Sequence, residues 1–183
     1  MSVMEFILVA HAIIVGLAVA EILRGLADLL RGEGTRISYR LLLIAGWALL
    51  LLLQIWWAIW RVGDRAEWTF PEFLIFLLPV AILYMIARLC FPIKVAESDL
   101  PSYYLRVSPA IFLLVAATYA AIAFFLAPFV YGAFDPWVFA SQFVLVVLSI
   151  VASRLQAPSF HFLVLFAMIA QVVWRGLATV IGG

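Results

Sequence analysis

Apolar residues run along this chain in six blocks of about 20, the length a helix needs to cross a hydrocarbon layer roughly 30 Å thick. The blocks cover residues 6–30, 41–60, 73–91, 109–130, 137–155 and 160–181. Stretches such as 41–53 are apolar on every face. A membrane β-barrel would instead alternate with a period of two over segments of about ten residues. The expected fold is an all-α integral membrane protein, a six-transmembrane-helix bundle, with residues 1–183 forming one polytopic domain. Turn formers fall between the blocks: Gly32 and Gly34, Gly63 with Asp64, Pro92 and Pro101, Gly132 with Pro136, and Pro158.

The first block differs from the others. It is apolar from Phe6 to Ala20 except for His11, about 22 Å of helix, and then becomes amphipathic. Glu21, Arg24, Asp28 and Arg31 share one stripe at i, i+3 and i+4 spacing, which predicts a charged helical stalk leaving the bilayer. Small residues form rows suited to close helix packing: Ala12, Gly16 and Ala20 in the first helix, and Ala116 with Ala120 and Ala117 with Ala121 in the fourth. These rows are expected to pack inside the bundle. One weak sign of internal repetition exists, because Pro71, Phe73 and Arg88 recur at a fixed offset as Pro158, Phe160 and Arg175. It raises a 3+3 arrangement of inverted halves.

Composition agrees with this pattern. Hydrophobic residues make up 68% of the chain and charged residues 11%, against about 45–50% and 25% in soluble domains, so a water-soluble fold is excluded. The net charge of +1 gives no field to attract nucleic acid, and none is expected as a partner. Cys90 is the single cysteine and has no disulfide partner in the chain. Ala18-Val19-Ala20 imitates a signal-peptidase site, but Glu5 precedes the apolar stretch and no Lys or Arg does, so the N-terminal segment is expected to be retained.

Eight Lys and Arg lie at or near the connections after the first, third and fifth helices: Arg24, Arg31, Arg36, Arg40, Arg88, Lys94, Arg106 and Arg154. Three, Arg61, Arg65 and Arg175, lie on the opposite side. The bias places the former connections in the cytoplasm and both termini outside. Trp56, Trp57, Trp60, Trp68 and Trp137 then gather at the outer interface, where indole rings favour the headgroup level.

Ionisable groups at membrane depth are costly and point to function by default. They are His11, Glu21, Arg88, His161 and Arg175. Helix rise puts Glu21 about 24 Å below Glu5, and Arg88 about 24 Å below Glu72, both near the inner boundary. Arg175 lies about 22 Å above Phe160 and His11 about 9 Å below Glu5, both in the outer third. Two depth-matched pairs result, Glu21 with Arg88 and His11 with Arg175. Either they line a polar path for protons or a small ion, or they act as interhelical glue. Gln54, Thr118, Gln142, Ser149 and Gln171 add neutral polar groups at intermediate depth, and Pro79 sits inside the third helix.

No G-x-S-x-G, H-E-x-x-H, P-loop or G-x-G-x-x-G occurs, and no enzymatic activity is expected. No cofactor or metal is expected either, because His11, Cys90 and His161 differ in depth, which disfavours both a bis-His haem and a shared metal. The stretches HAIIVGLAVAEILRGLADLLR, LLQIWWAIW and EWTFPEFLIFLLPVAILYMIARLCFP resemble those of uncharacterised bacterial six-helix membrane proteins. The resemblance is best in the first half and implies a location in the bacterial cytoplasmic (inner) membrane, without implying an activity. Two functions follow as expectations: a small transporter or channel for protons or a small ion, or a structural or accessory subunit of a larger membrane complex. Six short helices enclose only a narrow site, so the first requires a very small substrate or a homo-oligomer.

Overall fold

The structure is a computed structural model, and it describes residues 3–31, 37–59, 67–92, 99–130, 132 and 135–178. Six helices follow one another: α1 (Val3–Arg31), α2 (Tyr39–Ala58), α3 (Phe70–Cys90), α4 (Leu100–Ala120, continuing with π-type winding over Ala121–Val130), α5 (Pro136–Arg154) and α6 (Pro158–Ala178). All six are long and apolar enough to span a bilayer. The chain is a polytopic membrane protein, built as an all-α bundle.

Helix ends follow the chemistry of their first turns. Asp135 Oδ1 accepts from the N–H groups of Trp137 (2.9 Å) and Val138 (3.4 Å) at the start of α5. At the start of α3 the Thr69 N–H donates to Glu72 Oε2 at 2.8 Å. Pro71, Pro101, Pro136 and Pro158 all lie within first turns rather than in the connections, since a first-turn N–H has no helical partner to lose. The fourth helix consequently begins at Leu100, nine residues before the expected boundary at Pro109. Its first turns are too polar to register as a hydrophobic block, and Ser102 ties back to Asp99 Oδ2 at 2.6 Å. The expected ends at Trp60 and Ile181, and the turns at Gly32, Gly34, Gly63 and Asp64, lie outside the described residues.

α4 is the most buried span. It packs on α3 and α5; α5 packs on α6, α6 on α2, and α2 on α3, closing a ring. α1 lies outside that ring against α3 and α2. Large side chains fill the middle, with the Trp47 and Tyr119 rings 5.8 Å apart and both residues buried. Halves related by a 3+3 repeat would pack alike. Here α1 packs mainly on α3, whereas its counterpart α4 packs mainly on α5, so the structure does not show that arrangement.

α1 buries Ile7, His11, Val15, Ala18, Ile22 and Gly25. That stripe leaves Ala12, Gly16 and Ala20 exposed, contrary to their expected internal packing: α1 uses its larger residues to fill the groove and turns the small row outward. Ala116 and Ala121 of α4 are buried as expected, while Ala117 is exposed. Gly25 marks a close approach, because a Cβ there would enter the ring of Phe91.

Candidate functional site

Glu21 and Arg88 meet. Arg88 Nη1 lies 3.1 Å from Glu21 Oε2, and Arg24 Nη2 reaches the same oxygen at 2.6 Å. Arg24 and Arg31 each approach Asp28 at 3.6 Å, extending the ladder down the stalk. The Arg88 side chain is 47% exposed and that of Glu21 21%. This pair therefore sits on the flank between α1 and α3, at the Arg-rich end of the bundle, named the inner end after the expected orientation.

His11 and Arg175 do not join. His11 is fully buried in the α1 interface, its ring 4.7 Å from that of Phe76 on α3, and neither of its nitrogens has a hydrogen-bond partner. Arg175 is on α6, which packs against α2 and α5. Expected depth does not bring two residues together, since it says nothing of which helices are neighbours.

Two polar groupings lie within the ring itself. At the inner end, Tyr104 Oη lies 2.5 Å from His161 Nδ1. His161 Nε2 lies 3.0 Å from the Ala152 carbonyl and 2.7 Å from that of Leu155. Two carbonyls require the proton on Nε2, so Nδ1 accepts from the tyrosine. One imidazole thus ties α4, α5 and α6 together, with the Phe112 ring centred 4.7 Å away and tilted by 50°. Arg40 covers this plug, its guanidinium carbon 5.3 Å from the Tyr104 ring centroid and 4.8 Å from that of Phe162. The hydrophobic pattern does not single out Tyr104, because the first turns of α4 are too polar to join an apolar block.

The second grouping lies toward the outer end. From the His161–Ala152 bond, Gln142 on α5 and Gln171 on α6 each stand ten residues outward, about 15 Å of helix. They therefore occupy one level on adjacent antiparallel helices. Gln142 Oε1 and Gln171 Nε2 are both buried without a partner, as is Ser149 Oγ deeper on α5. One is an acceptor and the other a donor. Next to Gln171, the Val172 carbonyl accepts from Gln54 Nε2 at 3.2 Å, and two turns of α2 away Trp47 Nε1 donates to Tyr119 Oη at 3.0 Å. Arg175 is one turn beyond Gln171, within electrostatic reach of the Tyr119 phenol. A cleft of about 390 Å³ opens between α5 and α6 beside this layer, lined by Trp137, Ser141, Leu145, Leu148, Ala167 and Gln171.

Among the described residues no group of His, Cys, Asp and Glu is arranged to hold a metal, and the two histidines occupy different helix interfaces. The outer layer can do hydrogen-bond chemistry: it offers an unmatched donor and an unmatched acceptor in a water-poor interior. No protein-family model, curated protein or solved structure matches the chain.

Proposed function

We propose that this six-span protein carries protons or another small ion across a bacterial cytoplasmic membrane, with both termini outside. The route runs inside the ring of α2, α3, α4, α5 and α6, from the outer layer of Gln142, Gln171 and Arg175 to the plug of Tyr104 and His161. The observation that carries this reading is the unmatched pair Gln142 Oε1 and Gln171 Nε2 above the buried Ser149 hydroxyl. A buried polar group without a partner costs about 1–3 kcal/mol. Glue would spend amides on one another, as Gln54 does on Val172; amides held open at one level suit a transient guest. Glu21 and Arg88 lie off this route, and their part is to fasten α1 to α3. A very small substrate fits so narrow an enclosure.

A second reading, the structural or accessory subunit, draws on the exposed Ala12, Gly16 and Ala20 row, which presents a close-packing seam to a partner helix. Flux separates the two. Purified protein in liposomes should dissipate an imposed gradient of protons or monovalent ions, and Gln142→Leu with Gln171→Leu should abolish the excess over empty vesicles while leaving the bundle folded. Correctly inserted protein that conducts none of these ions would leave the accessory reading, and co-purification of foreign subunits in mild detergent would support it. Orientation has its own test: alkaline phosphatase fused after Gly183 should be active, and a bright green fluorescent protein fusion there would invert the assignment.

A further inference from the structure

We propose that the end of the bundle where α4 begins holds one zwitterionic phospholipid of the phosphatidylethanolamine class, its amine on Asp99 and its phosphate on Arg106. The proposal is independent of the transport reading. Asp99, Ser102, Tyr103 and Arg106 stand at i, i+3, i+4 and i+7, on one stripe of the helix. They line a single open cavity of about 260 Å³. An acid and a base therefore face one space, yet among the described residues no ion pair joins them. Asp99 Oδ2 accepts from Ser102 Oγ at 2.6 Å, and the Arg106 guanidinium carbon lies 5.3 Å from the Tyr103 ring centroid. Tyr103 is itself anchored, its hydroxyl donating to the Leu89 carbonyl of α3 at 3.1 Å. Glu21 and Arg88 on the adjoining flank engage each other. A purely anionic guest would meet the Asp99 carboxylate and a purely cationic one the Arg106 guanidinium, each a like-charge contact. A zwitterion meets both with the right sign.

The order of the two charges points to a lipid. Helix rise places Arg106 about 10 Å farther into the bilayer than Asp99, and its long stem lets the guanidinium reach back toward the headgroups. In a diacyl phospholipid the phosphate adjoins the glycerol and its chains, and the amine is outermost. A base below an acid matches that order. The stripe then turns apolar: beyond Arg106 it continues through Ala110, Leu113 and Ala117, all exposed, and the two alanines leave room beside the helix for an acyl chain. A primary ammonium has three N–H groups to donate to the Asp99 carboxylate, whereas a quaternary ammonium has none. The planar guanidinium fork suits two phosphate oxygens.

The test titrates the full chain in mild detergent with phosphatidylethanolamine, phosphatidylcholine and phosphatidylglycerol carrying the same chains, and native mass spectrometry counts the bound lipid. Phosphatidylethanolamine should bind at least about tenfold more tightly than either of the others. Asp99→Asn keeps an acceptor for Ser102 and should erase the preference over phosphatidylglycerol. Arg106→Gln should weaken phosphatidylethanolamine by about tenfold, and Arg106→Lys should recover part of the loss, because the charge returns without the fork. Arg154→Gln removes an equal charge at the same end of the bundle and should change nothing. Detergent melting reports whether each variant is folded. Should the Asp99 or Arg106 variants melt early, Ala110→Phe obstructs the chain from the lipid side and should weaken binding by about fivefold. Phosphatidylglycerol binding as tightly as phosphatidylethanolamine would overturn the proposal, as would a preference that survives Asp99→Asn. Soluble phosphoethanolamine displacing the lipid at equal concentration would show that the headgroup alone is bound, and would overturn it too. No flux is measured, so either result leaves the transport reading where it stands.

Discussion

The flank where α1 packs on α3 and the enclosure inside the ring of α2 to α6 solve the same problem differently. On the flank, full charges are used and opposite charges meet along the stalk: Glu21 holds Arg88 and Arg24, and Asp28 draws Arg24 and Arg31. In the enclosure, groups are mainly neutral: the His161 imidazole is fully bonded at the inner plug, whereas Arg40 Nε beside it and the amides of the outer layer keep unmatched atoms. Position explains the contrast. Partly exposed charges beside the headgroups are stabilised by water and lipid as well as by one another. Inside the ring only neighbouring groups can do so, and a polar atom they leave unmatched costs about 1–3 kcal/mol. The more conspicuous residues of the sequence thus lie in the region with the simpler role.

The sharpest way to break this comparison is at the plug. His161→Leu strands the Tyr104 hydroxyl and removes the donor to the Ala152 and Leu155 carbonyls. Loss of about 3 kcal/mol is expected, since buried groups without partners cost about 1–3 kcal/mol each. Thermal unfolding in detergent measures it. A loss no larger than that of a surface substitution would mean the imidazole does not hold α4, α5 and α6 together.

A smaller effect is expected where α1 meets the end of α3. Gly25→Ala drives a methyl group into the Phe91 ring, which is buried and cannot swing into solvent. Overpacking of this kind costs about 1–3 kcal/mol. Gly25→Ala with Phe91→Leu should recover part of the loss, and strictly additive losses would show that the two do not touch.

Smaller still is the ion pair. A pair as exposed as Glu21 and Arg88 is worth about 0–1 kcal/mol, far from the about 3–5 kcal/mol of a buried one. A double-mutant cycle with Glu21→Gln and Arg88→Gln should give a coupling within the lower range. Coupling above it would show that the flank is drier than its exposure implies, and would bring the two regions closer in kind.

These cases also show what could be read from the sequence. Six helices were legible because lipid demands long apolar blocks, and the nearness of Glu21 to Arg88 because helix rise converts sequence position into depth. Depth alone failed for His11 and Arg175, whose helices pack mainly on different neighbours. It also could not orient a face: Ala12, Gly16 and Ala20 looked like an internal seam until Ile7, His11, Val15 and Ile22 proved to be the buried stripe. Gln142 and Gln171 were visible as polar residues, yet their common level emerged only once the bond from His161 to Ala152 fixed the register of α5 against α6. Helix rotation and neighbour identity are set by packing across the whole bundle, and local pattern does not carry them.

The smallest expected effect on stability separates the regions most cleanly. Gln142→Leu replaces an amide whose oxygen has no partner with a side chain of similar volume, in a wall that already contains Leu145 and Leu148. Removing a group that must otherwise stay unsatisfied is nearly neutral or stabilising, so detergent melting should be unchanged or rise by no more than about 1 kcal/mol equivalent. Flux should nevertheless be lost, because the guest has lost its acceptor at the outer layer. The flank predicts the opposite combination, with Arg88→Gln lowering stability slightly and sparing flux. If Gln142→Leu instead destabilises the bundle by about 2 kcal/mol or more, the amide has a structural partner, and the outer layer is glue of the same kind as the flank.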